Sequence, residues 1–149
     1  MAASAAGHVL VVRELLTSSP KVNEADHYGK TALFFAAMEG HAGAVLELLG
    51  AKAEVDEPCQ CRVTPLHVAS QEGHVDVVNA LLAGGADPSV AKSCDGCAPL
   101  HVASSADIAQ ALLSAGAEID QSCAPNRCSP LYMAAQHGRL EVNPGTHLD

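Results

Sequence analysis

Four segments of the chain are variants of one another: TALFFAA at 31–37, TPLHVAS at 64–70, APLHVAS at 98–104 and SPLYMAA at 129–135. Their starts lie 33, 34 and 31 residues apart. A period of this size constrains the fold more than any other feature. A unit that short cannot bury an apolar face alone, so it must stack on its neighbours. A second signature keeps the same register: Gly40-His41 and Gly73-His74 lead to Leu48-Leu49 and Leu81-Leu82, and the N-terminus adds Gly7-His8 with Leu15-Leu16. A third, AEVD at 53–56, matches AEID at 117–120.

Each unit reads as helix, turn, helix and loop. Thr64 before Pro65 supplies a hydroxyl cap followed by proline at the first helical position. Ala36, Ala37, Ala69, Ala103, Ala134 and Ala135 are small enough to let neighbouring helices approach closely. Gly40 and Gly73 stand where the first helix must stop and turn back, a left-handed position that suits glycine. A second helix is expected from about Val75 to Leu82, with Val77, Val78, Leu81 and Leu82 as its apolar stripe. Gly85 ends it, and a polar finger leads to the next unit.

The period and the TPLHxA signature resemble the ankyrin repeat, and the resemblance covers residues 3 to about 142. It implies an all-α ankyrin-repeat solenoid of helix-turn-helix units with finger loops, incomplete at both ends. The expected organisation is an ankyrin-repeat domain at 1–142, followed by a divergent tail at 143–149. Within the domain we expect a partial repeat at 1–30, repeats at 31–63, 64–97 and 98–128, and a partial repeat at 129–142.

The departures from the family pattern carry expectations of their own. Phe34 and Tyr132 replace the family's histidine, so its Thr–His pairing is expected only between Thr64 and His67. Ala98 and Ser129 weaken the helix starts of the last two units, and Arg62 and Arg127 stand in the place of the finger glycines Gly29 and Gly96. The stretch from Ser104 to Ala109 lacks a Gly-His pair and is three residues short, which predicts a clipped turn between the helices. Met1 falls inside a first helix, and Pro144 and Gly145 interrupt the last one. The ends therefore read as those of a truncated product or splice variant of a longer ankyrin-repeat protein.

Composition removes several classes of function. Eight Lys and Arg against seventeen Asp and Glu give a net charge of −9, which repels phosphate backbones and argues against nucleic-acid binding. No apolar run approaches the roughly 18–20 residues of a membrane span, and no basic segment precedes the apolar stretch at the N-terminus. A soluble, cytoplasmic protein is expected. Aromatic residues are only 3% of the chain, so the core must be built from Ala, Leu and Val.

Six cysteines are the least expected feature. Cys59 and Cys61, Cys94 and Cys97, and Cys123 and Cys128 fall in the fingers of three successive units. In a cytosolic protein such residues are ordinarily reduced thiols. A zinc site is disfavoured by their irregular spacing. A disulfide between stacked units is disfavoured by a spacing of roughly 8–10 Å, where the bond wants Cα atoms about 4.4–6.8 Å apart. Repeat structure accounts for His8, His41, His67, His74 and His101; no nucleophile is placed to use His27, His137 or His147. Neither an enzyme nor a cofactor is expected.

What remains is an interaction scaffold or adaptor. The resemblance implies a concave face of finger tips and inner-helix ends that grips a partner protein. Carried over by position, its finger residues are His27, Tyr28, Lys30, Gln60, Cys61, Val63, Cys94, Asp95, Cys97, Asn126, Arg127 and Cys128. Its inner-helix residues are Met38, Glu39, Gln71, Glu72, Gln136 and His137. Two alternatives are the substrate-binding part of a ubiquitin-ligase adaptor, with no SOCS box visible after Val142, and a metal- or redox-responsive module using the finger cysteines. Exposed apolar residues at the C-terminal end would favour self-association.

Overall fold

The computed structural model describes residues 9–18, 21–90, 96–123 and 127–136. Among them the chain forms eight helices: α1 Val9–Thr17, α2 Ala32–Met38, α3 Ala42–Gly50, α4 Pro65–Glu72, α5 Val75–Ala83, α6 Pro99–Val102, α7 Ala106–Ser114 and α8 Pro130–Gln136. They stack in two rows. The inner row runs α2, α4, α6, α8 and the outer row α1, α3, α5, α7; each helix packs on the next in its row, and α2, α4 and α6 each pack on the outer helix that follows.

Local chemistry explains where the inner helices begin. The Thr31 and Thr64 hydroxyls accept the backbone N–H of Phe34 and His67, each at 3.2 Å, satisfying one of the donors that a helix start leaves open. Threonine thus caps α2 with phenylalanine in the histidine's place. Ala98 has no capping hydroxyl, yet its N–H donates to His101 Nδ1 at 3.1 Å, and His101 Nε2 donates to the Cys128 carbonyl at 3.2 Å. The histidine of this unit therefore bonds the backbone of the alanine that stands in the threonine's place. A carbonyl only accepts, which fixes the buried His101 ring as the Nε2–H tautomer.

The three missing residues are also lost elsewhere than expected. The connection to α7 still spans residues 103–105, and it is the inner helix that shortens: α6 has four residues where α4 has eight. Ser105 accepts from the Ile108 N–H at 3.3 Å and starts α7 cleanly. Ser104 fastens the connection to α4, its backbone N–H and its hydroxyl both donating to the Ser70 carbonyl.

Leu33, Val45, Leu66, Val77, Val78, Leu81, Ile108 and Leu112 form the core, with Ala36, Ala37, Ala44 and Ala69 at full burial between the rows. Both ends of the stack expose apolar surface: Leu10 is 76% exposed on α1, and Leu131 and Tyr132 are 75% and 56% exposed on α8. The Arg13 guanidinium pairs with the Glu47 carboxylate and ties α1 to α3 at the surface.

Arg62 and Arg127 take the conformation of the glycines they replace, with φ of 58° and 54° beside 75° and 67° at Gly29 and Gly96. A side chain in the left-handed region costs about 1–2 kcal/mol, part of which glycine returns through its greater unfolded-state entropy. Arg62→Gly is expected to stabilise the chain by about 0.5–1 kcal/mol. Thermal melting reads this as a rise in midpoint; a fall would show that the exposed Arg62 side chain contributes more than its backbone strain removes.

Candidate interaction surface

The first two fingers are short hairpins, each closed by hydrogen bonds of its own. Asp26 N–H donates to the Lys30 carbonyl and Cys59 N–H to the Val63 carbonyl, each at 3.0 Å. In the first finger the Asp26 carboxylate also accepts the N–H groups of Tyr28 and Lys30, both at 2.9 Å. The Lys30 N–H does most to hold the Asp26 carboxyl below its ordinary 3.8; desolvation opposes it and the Tyr28 N–H adds to it.

Neighbouring fingers are joined to one another. Gln60 donates through its backbone N–H to the Tyr28 carbonyl at 2.9 Å and through Nε2 to the His27 carbonyl at 2.7 Å. At the base of the fingers the Asn23 side chain accepts from the Glu54 N–H at 2.9 Å, and one unit later the Asp56 carboxylate accepts from the Asp87 N–H at 3.1 and 3.2 Å. Along the inner row, His74 Nε2 donates to the Met38 carbonyl at 3.0 Å.

On this frame Tyr28 stands 57% exposed at the first finger tip, its ring 3.7 Å from that of His27. Lys30 folds inward, its Nζ 5.3 Å from the centre of the Phe34 ring and 5.6 Å from that of Phe35. His27, Gln60, Cys61 and Arg127 are exposed on fingers, as are Glu39, Gln71, Glu72 and Gln136 at the inner-helix ends; Lys30, Met38, Val63 and Cys128 are half-buried. Cys97 is buried, which corrects its placement on a partner-facing surface: its thiol packs inside the unit. Cys94, Asp95, Asn126 and His137 lie outside the described residues.

Sequence reasoning passed over Asp26, the residue that shapes the first tip. The available signal was an aspartate two residues before Tyr28 in a glycine-containing loop, the usual setting for a side chain that caps its own turn. Among the described residues no three His, Cys, Asp or Glu side chains are grouped to hold a metal ion, and no helix is long and apolar enough to cross a membrane.

Asp56 is a base position with an unfavourable charge. Burial pushes its carboxyl above the ordinary 3.8; the Asp87 N–H pulls it down and the Asp87 carboxylate adds to the rise. The folded state therefore binds the proton more tightly than the unfolded state, and the group contributes stability as pH falls through its raised value toward 3.8. At neutral pH it is a liability. Asp56→Asn keeps an acceptor of the kind Asn23 provides and removes the charge, so the variant is expected to melt above the parent at pH 7, by less than about 1 kcal/mol. That gain shrinks on acidification toward 3.8. A pH-independent difference would assign the effect to packing.

The family model for ankyrin repeats (3 copies) matches the chain at residues 1–92 and 44–123. No curated protein matches it.

Proposed function

Because the chain belongs to the ankyrin-repeat family, whose repeats are general protein–protein interaction modules, we propose that it is a scaffold or adaptor binding a partner protein through its fingers and inner-helix ends. The observation that carries this reading is the first finger tip. Tyr28 is 57% exposed on a backbone already ordered by Asp26 and by the adjoining finger. A large aromatic whose loop is fixed before binding contributes contact area at little further loss of entropy. Glu39 and Glu72 flank the inner-helix ends with negative charge, in keeping with a protein partner and not a nucleic acid or an anionic membrane. The protein acts without catalysis, in the cytoplasm. Leu131 and Tyr132 give the C-terminal end a weaker, second contact through which isolated chains self-associate, readable as concentration-dependent sedimentation.

A photo-crosslinker at position 28 is expected to capture a partner that one at Gln110, on outer helix α7, does not. With that partner in hand, Tyr28→Ala combined with Met38→Ala should weaken binding by at least about tenfold, the effect of losing a little over 1.4 kcal/mol, with helical content unchanged. Equal capture at both positions, or unaltered affinity, would remove the finger face from the interaction.

A further inference from the structure

We propose that Cys123 and Cys128 are a thiol-oxidation site, closing reversibly into a disulfide across their own finger by exchange with a small-molecule disulfide of the glutathione class. The two residues face each other in an antiparallel bridge, the Cys123 N–H donating to the Cys128 carbonyl at 3.0 Å. Directly opposed residues of such a pair send their side chains to the same face, with Cα atoms about 5.5 Å apart. That separation lies inside the range of about 4.4–6.8 Å that a disulfide spans. The distance that disfavours bridges between stacked units does not apply within one finger.

In the first and second fingers the same hydrogen bond pairs Asp26 with Lys30 and Cys59 with Val63, so neither places two thiols opposite each other. Both thiols of the pair are free in this structure, Cys128 half-buried and Cys123 only 4% exposed. The His101 ring donates to the Cys128 carbonyl at 3.2 Å, which anchors that side of the hairpin to α6.

The difference in burial orders the chemistry. Cys128, the more accessible sulfur, attacks one sulfur of glutathione disulfide as its thiolate; an S–S bond forms, the original S–S bond breaks, and one glutathione leaves as a thiolate that takes up the proton Cys128 released. Cys123 Sγ then attacks Cys128 Sγ across the bridge, and the second glutathione leaves in the same way. The two cysteine sulfurs give up two electrons and two protons, and one glutathione disulfide becomes two glutathione thiols. Excess glutathione runs the sequence backwards.

The test uses the full chain, reduced and then equilibrated with glutathione disulfide before the remaining thiols are alkylated. Of six thiols, two fewer are expected to react, the intact mass is expected to fall by two hydrogens, and peptide mapping is expected to link Cys123 to Cys128. Cys123→Ser should accumulate a glutathione adduct on Cys128, whereas Cys128→Ser should leave the buried Cys123 unmodified. Six reactive thiols after equilibration, a bridge at Cys59–Cys61 or Cys94–Cys97 in its place, or a stable adduct on Cys128 in the parent chain would each overturn the proposal. The mapping is done on the parent, so it decides the matter even if a serine variant fails to fold.

Discussion

Leu66→Ala is expected to remove about 2–5 kcal/mol of stability, the penalty of a truncated core leucine whose cavity closes only in part. Leu66 is fully buried on α4, which packs on α2 and α6 in its own row and on α5 in the other. A void there loosens the middle of the stack, where neighbours on both sides depend on it. A domain ordinarily has only about 5–15 kcal/mol in hand, so the variant should be partly unfolded at body temperature. Urea titration should move the midpoint down at unchanged slope. An unmoved midpoint would show that the surrounding alanines collapse into the space.

Gly40→Ala should be nearly as damaging, for two separable reasons. Gly40 has a φ of +76°, and a Cβ there would lie 2.6 Å from Nδ1 of His74. The left-handed conformation costs a side chain of the order of 1–3 kcal/mol. The ring cannot simply retreat, because its Nε2 donates to the Met38 carbonyl; displacing it forfeits a bond between units, worth about 0.5–1.5 kcal/mol. The expected total is about 2–4 kcal/mol. A double-mutant cycle separates the parts: in a His74→Ala background the steric portion vanishes and the conformational cost of alanine at position 40 remains. Identical costs in the two backgrounds would show that the ring moves aside freely.

Much of this architecture is legible in the residues. The TPLH-type signatures mark the starts of α2, α4, α6 and α8, and the Gly-His pairs mark the turns before α3 and α5. Arg62 and Arg127 are recognisable as glycine substitutes because the period sets their register, and their positive φ follows. What a single period cannot reveal is how adjoining units trade hydrogen bonds. The donation of Gln60 to the Tyr28 and His27 carbonyls, and of His74 to Met38, depends on the distance between units. The shortened α6 belongs to the same class: a deletion of three residues can be taken from a turn or from a helix, and Ser104 decides it by binding the Ser70 carbonyl. The exposure of His27, Tyr28, Gln60, Cys61 and Arg127 was readable by position in the fingers. That reading failed at Cys97, which is buried.

The one-turn helix α6 has a mechanical consequence. A stack held by its two ends carries tension through its units in series, so the unit with the least interlocked backbone yields first. With four residues, α6 closes barely one turn of helix and is the shortest of the inner row among the described residues. Under load the chain is expected to part there first, α8 and its finger peeling away while α2 to α5 hold as a block around Leu33, Leu66 and Leu81. Such a level would act as a fuse: a pull on the C-terminal end is expected to be spent before it reaches the Tyr28 finger, and force-extension traces should show it as a separate early step.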